Sequence, residues 1–387
     1  TSSAASDVYK RQANAVQTAA PNLDSNGITL VLYGDVPLIS SKTVLSTLKV
    51  VNNNTMGLLT VVLEKPEGYG RIVRDRKGDI CGIIEQKDAT IQQLEIQEVN
   101  TGVMAIRTNF LQKWLPQIGN DNAQNEYYLT DLISIADRAG VKIKAVNPGT
   151  PEEVKGVNTR KQLSKLERFY QQKQADRLMV NGATLADPSR VDIRGTVFCD
   201  VDTFIDVNTV FEGEVKLGKN VSVGPNCLIT ESSIGDNVKI KANTIIENST
   251  ICNGVEVGPF ARVRPGTHLS DNSKIGNFVE VKNTEVGKGS KISHLSYVGD
   301  SQLGKDVNVG AGTITCNYDG ANKNKTIIGD DSFIGSNASL VAPVTIGKNA
   351  TIGAGSTITK DIPDNELSLS RSPQLNKSGW VRPKKKK

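Results

Sequence analysis

Histidine occurs only twice in the 387 residues, as does tryptophan, and aromatic residues make up just 5% of the chain. So few rings argue against a conventional aromatic-centred core, and they leave two positions for imidazole chemistry. Cysteine is also sparse: Cys81, Cys199, Cys227, Cys252 and Cys316 are odd in number, widely scattered, and never in a C-x-x-C pair. That excludes zinc-knuckle spacing and a disulfide framework, and predicts buried thiols in a reducing cytoplasm. No run of 18 apolar residues exists to span a bilayer as a helix, and no charged-then-apolar signal segment opens the sequence. The net charge of +5 is a property of the tail, because Arg382, Lys384, Lys385, Lys386 and Lys387 carry five positive charges. Without them 41 basic residues face 41 acidic ones, so the body is neutral and nucleic acid is not an expected partner.

What the chain does contain is glycine, 35 residues of it, and a hydrophobic share of 37% that suffices for packed cores. The length fits two or three domains of about 150 residues each. Residues 1–12 (TSSAASDVYKRQ) show neither strand alternation nor a helical stripe and read as non-native sequence. From Ala13 the pattern becomes coherent. ANAVQTAA reads as a helix closed by Pro21 and Asn22. GITLVLYGDVPLI reads as a buried parallel strand ending in Gly34-Asp35, at the carboxyl end where open α/β sheets collect ligands. Further strands are expected at 57–63 and 143–146, with helices near 41–49, 108–117 and 127–138. This alternation predicts an α/β, Rossmann-like domain over 13–158. It starts in mid-pattern, however, without the opening strand and glycine-rich phosphate loop of a nucleotide-handling sheet. Gly68-Tyr69-Gly70 is too short to replace that loop, so the expectation is an incomplete domain lacking at least one βαβ unit of about 30 residues.

Residues 159–182 read as a linking helix, with Leu163, Leu166 and Tyr170 on one face and Gly182 at its end. Beyond Asp187-Pro188 the period changes. Apolar residues recur every six positions at Ile234, Ile240 and Ile246, at Val257, Val263, Leu269, Ile275 and Val281, and again from Ile328 to Ile358. A period of six matches neither helix nor simple strand. It matches a β-helix of hexapeptide repeats, three flat sides per coil, one inward aliphatic per side and small residues at the corners. The glycine and the scarcity of rings follow, since a narrow prism has no room for rings. This domain is expected over 183–362, with a tail at 363–387. Two places break the repeat: the loop 311–327 and the tail, which carries Arg371 and Trp380.

Of the two histidines, His268 lies in a polar, turn-like stretch and reads as a surface residue, whereas His294 lies near the broken loop. Arg264 and Lys282 are 18 residues apart, one full coil, so both should emerge on one face beside His294 by coil stacking. Glu280, two residues before Lys282, points the same way. Two cations beside a neutral imidazole form a site for an anionic substrate with a general base. A solvated charged face is the simpler alternative.

The segments ARVRPG, GNFVEVK, SHLSYVGD, VNVGAGTITCNYDG and SLSRSPQ together resemble the bacterial family that makes UDP-N-acetylglucosamine. In that family a glucosamine-1-phosphate N-acetyltransferase is joined to an N-acetylglucosamine-1-phosphate uridyltransferase, also called a pyrophosphorylase. LYGDVPLI, GYGRI, IIEQKDAT, EVNTGV, EYYLTD and GVNTR are similar to its uridyltransferase half, in order along the chain. The resemblance implies a left-handed parallel β-helix and gives His294 the role of base, deprotonating the glucosamine amine for attack on acetyl-CoA. It implies that Glu280 orients the amine or the imidazole, that Arg264 and Lys282 hold the sugar phosphate, and that Tyr297 and Asn308 bind the sugar. Ala311, Asn317, Tyr318, Ser336, Ala354 and Arg371 would contact acetyl-CoA. In the other half, Asp35 and Asn158 would bind Mg²⁺ for attack of the sugar phosphate on UTP. Tyr33, Gly34, Gly70, Glu85, Asn100 and Asn158 would bind the sugar nucleotide. Family members are cytoplasmic homotrimers without membrane attachment.

The chain departs from the family where the opening strand, the glycine-rich loop and a further uridine-binding stretch would be. The expectation is therefore little or no uridyltransferase activity in this chain. Two other readings stay open from the sequence: another hexapeptide acyltransferase with a different acceptor, and a nucleotidyltransferase whose solenoid only oligomerises.

Overall fold

The computed structural model describes residues 11–124 and 126–385, so most of the segment 1–12 lies outside the described residues. The chain divides into two compact units, one ending at Tyr170 and the other beginning at Gln171.

The first unit opens with helix α1 (Arg11–Ala19) and a single turn closed at Asn22, followed by strand β1 (Ile28–Val31). Ser40 caps helix α2 (Ser41–Lys49) by accepting from the Thr43 N–H at 3.1 Å. Strands β2 (Thr55–Val62), β3 (Arg71–Arg74), β4 (Ile80–Ile84) and β5 (Glu98–Arg107) follow, then helix α3 (Thr108–Trp114). Helix α4 (Asp131–Arg138) and strand β6 (Lys142–Val146) complete the sheet, which runs β4-β3-β5-β2-β6 with β1 paired to β5.

Several expectations are corrected here. The strand at 28–31 is not a buried parallel strand. It pairs antiparallel with β5, Val31 opposite Met104, and Ile28 is exposed. Among the described residues of this unit, β2 and β6 are the one pair that runs parallel. The central strand β5 went unread because Asn100-Thr101-Gly102 has turn chemistry. Inside the sheet those polar groups are satisfied locally: Thr101 Oγ1 donates to the Leu59 carbonyl at 2.8 Å, and the Gly102 N–H donates to Asn100 Oδ1 at 2.9 Å. Helix α4 begins at Asp131 and not near 127, and the hydroxyl of its N-cap Thr130 donates to Glu85 in place of capping the helix.

Helix α5 (Arg160–Val180) spans the boundary between the units. Leu163 is half exposed, while Gln171, Gln174, Ala175 and Leu178 form the buried face of its second part. Gln171 acts as a backbone clip there, donating to the Ile193 carbonyl at 3.0 Å and accepting from its N–H at 2.7 Å.

The second unit is a left-handed parallel β-helix of about ten coils. All the in-phase aliphatics read from the sequence point inward and are buried, forming one continuous cluster. Stacked partners are 17 or 18 residues apart: Ile240 on Val257, Val257 on Ile275, Ile275 on Ile292. One coil is longer, with Val309 pairing Ile334 across an inserted loop closed by the Tyr318–Lys323 bridge. Pairing also continues past the expected end, as Leu367–Ser368 stacks on Thr351–Ile352. The corners are not uniformly small. Along one edge the residue in left-handed conformation is Asn208, Asn226 and Asn243, then Phe260, Phe278 and Leu295 with φ of 54°, 55° and 47°. Asn adopts this conformation readily, whereas an aromatic or branched residue is held in it at a cost of about 1–2 kcal/mol.

Candidate active sites

In the first unit the chain leaves β1 and turns through Tyr33, Gly34 and Asp35 into a cavity of about 790 Å³. Gly70, Glu85, Asn100 and Asn158, widely separated in sequence, line the same cavity. Backbone hydrogen bonds assemble it. The Asn100 N–H donates to the Gly70 carbonyl, and the Val157 N–H donates to the Asp35 carbonyl, each at 2.9 Å. The second bond draws 156–158 so close that a Cβ on Gly156 would stand 3.2 Å from Asp35 Oδ2. Gly102 was missed in the sequence. At φ +83° it lets the Tyr33 ring pack on β5, where a Cβ would lie 2.0 Å from the ring.

Burial, then the charges of Glu85 and Asp35, push the Tyr33 hydroxyl well above the ordinary phenol range, so it stays protonated. Burial also raises Glu85, against the hydrogen bond that Thr130 Oγ1 donates at 3.1 Å. Asp35 and Asn158, a carboxylate and an amide, both line this cavity. No group of three or more His, Cys, Asp or Glu able to hold a metal ion occurs among the described residues. So sparse a set of hard oxygens fits Mg²⁺, which takes one or two carboxylates and completes its shell with water and substrate phosphates.

In the second unit, Arg262, Glu280 and Tyr297 occupy successive rungs of one line. The Arg264 N–H donates to the Val281 carbonyl at 2.8 Å, which sets Arg264 beside Lys282, as the 18-residue spacing required. Arg264 Nη1 lies 2.7 Å from Glu280 Oε1, and Lys282 Nζ lies 3.6 Å from Asp300 Oδ2. Asp300 also accepts from Asn283 Nδ2 at 2.6 Å and from Asn317 Nδ2. Burial alone would raise its carboxyl, but these donors and the charges of Lys282 and Lys323 hold it below the usual range. Lys323, on the inserted loop, meets Lys282, and that contact pushes its ammonium below the usual lysine range. Sequence reasoning gave no role to Asp300 and Lys323, although Asp300 ends the motif SHLSYVGD and Lys323 lies in the loop 311–327. Neither belongs to the hexad pattern, so only the folded loop brings them to Lys282.

His294 comes out elsewhere than expected. It ends the strand Lys291–His294 in the eleven-stranded sheet, while Glu280, Lys282 and Tyr297 lie on the face beyond the corner at Leu295. Twelve residues separate Lys282 from His294, two sides of a coil and not a full turn, so stacking places His294 on Asn277. Nδ1 of His294 lies 2.5 Å from Asn277 Oδ1. Asn308 pairs with Lys291 on the same sheet. His294, Ala311, Ser336 and Ala354 each precede the left-handed residue of this edge, so they form one column up the prism. At its end Arg371 Nη1 donates to the Ala354 carbonyl at 2.7 Å. Tyr318 stands exposed on the inserted loop, its hydroxyl donating to the Gly320 carbonyl at 2.6 Å. His268 is also exposed, with Cys252 Sγ 3.6 Å from Nε2. All five cysteines are free, and no helix among the described residues is long and apolar enough to cross a membrane.

Comparison with known proteins bears on both units. The bacterial transferase hexapeptide model (six repeats) matches residues 325–360, and the GMPPB C-terminal domain model matches 193–272. A bifunctional protein GlmU of Marinobacter nauticus is 55% identical over 372 residues, covering 96% of this chain and 82% of that protein. Another, from Idiomarina loihiensis, is 54% identical over 374 residues, 97% of this chain and 82% of that one. Among solved structures, UDP-N-acetylglucosamine acyltransferase from Campylobacter jejuni aligns over 48% of this chain and 71% of its own, at 17% identity. Its TM-score of 0.30 is too low to carry any argument.

Proposed function

The chain belongs to the family of bifunctional GlmU proteins, and from that membership we propose that it carries the two final steps of UDP-N-acetylglucosamine synthesis. Acetyl transfer from acetyl-CoA to glucosamine-1-phosphate is assigned to 183–362 with the tail 363–387. Uridylyl transfer from UTP to N-acetylglucosamine-1-phosphate belongs to the family's half that 13–158 matches, of which this chain carries the sugar-nucleotide residues but not the glycine-rich phosphate loop, and 159–182 links the two. The observation that carries the reading is the polar cluster on the solenoid: Arg264, Glu280, Lys282, Tyr297, Asp300 and Asn317 on stacked rungs and the adjoining loop. The solenoid carries other ion pairs, but Lys282 and Asp300, 19% and 12% exposed, are the most sheltered of them.

In the acetyl step Arg264 and Lys282 take the sugar phosphate, their present carboxylate partners keeping both side chains extended toward it. Tyr297 and Asn308 hold the sugar, and Glu280 orients the amine. His294 removes a proton from the amine as the nitrogen attacks the thioester carbonyl, and coenzyme A departs as the thiolate. The column Ala311, Ser336 and Ala354, with Asn317, Tyr318 and Arg371, provides a track for acetyl-CoA on the same edge as the base.

For uridylyl transfer, Asp35 and Asn158 would hold Mg²⁺, which when bound neutralises phosphate charge as the sugar phosphate displaces pyrophosphate. Tyr33, Gly34, Gly70, Glu85 and Asn100 bind the sugar nucleotide, with the protonated Tyr33 hydroxyl suited to donate to it. The working assembly is a homotrimer, with acetyl sites completed between neighbouring prisms. The free thiols suit the reducing cytoplasm.

Acetyl-CoA turnover with glucosamine-1-phosphate, wild type against His294→Ala, tests the reading. Loss of about 10²-fold or more is expected on removing a general base. Equal rates would reject His294 as the base.

A further inference from the structure

Eleven strands stack to form the face that carries His294, and nine of them are two residues long. The two exceptions, Lys274–Asn277 and Lys291–His294, have four residues each and pair with one another through Asn277 and His294. Gly276 makes the extension possible, since a Cβ there would stand 1.9 Å from the Ser293 backbone oxygen. Immediately after Asn277 and His294 the chain turns at Phe278 and Leu295, both held in the left-handed conformation. The close approach brings Asn277 Oδ1 to 2.5 Å from His294 Nδ1.

We propose that Asn277 is a positioning residue that fixes the tautomer of His294. The reasoning rests on His294 being the base. An amide oxygen can only accept, so Nδ1 must carry the ring proton, and the lone pair then lies on Nε2, on the far side of the ring. Nε2 is the atom left to take the proton from the substrate amine. The ionisable side chains on the two packed strands are Lys274 and Lys291, which pair in register with each other three residues before Asn277 and His294, and Lys274 lies 3.8 Å from Glu256. The third strand packed here, Asn308–Val309, adds no ionisable side chain, and among the described residues it is Asn277 that orients the ring.

Asn277→Ala and Asn277→Asp, both in the full chain, test this against His294→Ala through kcat, KM and the pH profile of kcat/KM for acetyl transfer. Asn277→Ala is expected to lower kcat about tenfold, part of the roughly 10²-fold or more that a base contributes, with KM little changed. Asn277→Asp still accepts from Nδ1 and adds a negative charge that favours the imidazolium. Its acid limb should shift to higher pH, with kcat on the plateau recovering toward wild type. A merely structural role for Asn277 would move neither the limb nor the kcat-to-KM split. If His294→Ala abolishes turnover while both Asn277 variants keep the wild-type kcat and pH profile, the positioning role is wrong and the base assignment stands. If His294→Ala retains full activity, the base assignment itself fails.

Discussion

The cation pair gives the sharpest quantitative expectation, because each member already has a carboxylate partner. Arg264 is tied to Glu280 at 2.7 Å and Lys282 faces Asp300 at 3.6 Å. A hydrogen bond to a charged group contributes about 1.5–3 kcal/mol, and 1.4 kcal/mol is about tenfold. Truncating either cation to Ala should therefore lower kcat/KM for glucosamine-1-phosphate by roughly 10- to 100-fold. The two should not be equal. After Lys282→Ala, Asp300 keeps its bonds from Asn283 and Asn317 and the charge of Lys323 nearby, so the loss falls near the lower bound. After Arg264→Ala, Glu280 loses its ion-pair partner and faces the incoming phosphate as a bare carboxylate, so the loss falls near the upper bound. Arg264→Ala with Glu280→Gln should then recover part of it, because the repulsion is removed. The double cation variant should lose less than the product of the singles, since both cations act on one phosphate. Initial rates of coenzyme A release with glucosamine-1-phosphate and with unphosphorylated glucosamine make the measurement. Equal losses on both acceptors would show that the pair serves the fold or the amine and not the phosphate, and would refute the reasoning.

Two further outcomes follow from the same geometry. Gly276→Ala inserts a methyl group against the Ser293 carbonyl, and overpacking of this kind costs about 1–3 kcal/mol. It should lower acetyl transfer much more than it lowers Tm, and an unchanged kcat would mean that the close approach of the two strands is irrelevant to the base. Asp300 is held below the ordinary carboxylate range, so its contribution to stability is fully present above the unfolded pKa of about 3.9 and is lost as pH falls through its lower native value. Urea midpoints of wild type and Asp300→Asn should therefore differ at pH 6 and converge toward pH 3; a constant difference would assign the effect to packing.

The solenoid was legible because its constraint is periodic. Every coil demands an aliphatic at the same phase, so Ile234, Val257, Ile275 and Ile352 announce their burial without knowledge of any long-range contact. The 18-residue step also placed Arg264 beside Lys282. The same arithmetic failed for His294, because side chains two hexads apart belong to different faces. The α/β sheet offered no such ruler. Its central strand is written Glu98–Arg107 with an Asn-Thr-Gly in the middle, and only the bonds to Leu59 and within Asn100–Gly102 explain how that turn chemistry survives in a buried strand. β1 was misread for a related reason, since an apolar run cannot say whether its neighbour is parallel or antiparallel. The site residues there were legible only through the resemblance of long motifs; their convergence on one cavity depends on bonds such as Val157 to Asp35 that no local pattern encodes.

A periodic scaffold also makes its departures informative. Stability in a solenoid is a sum over coils and their nearest neighbours, so strain in one coil is offset chiefly by the coils directly above and below. The two long strands are the sixth and seventh of the eleven in their face, with regular two-residue rungs on both sides. Left-handed Phe278 and Leu295, the glycine-dependent contact at Gly276 and the inserted loop all fall within a few coils of one another. Near either terminus the same features would lack a neighbour on one side, and fraying would release them. A mid-stack position lets ordinary aliphatic coils hold an unfavourable geometry in place, and in that geometry the His294 ring rests against Asn277 of the preceding coil.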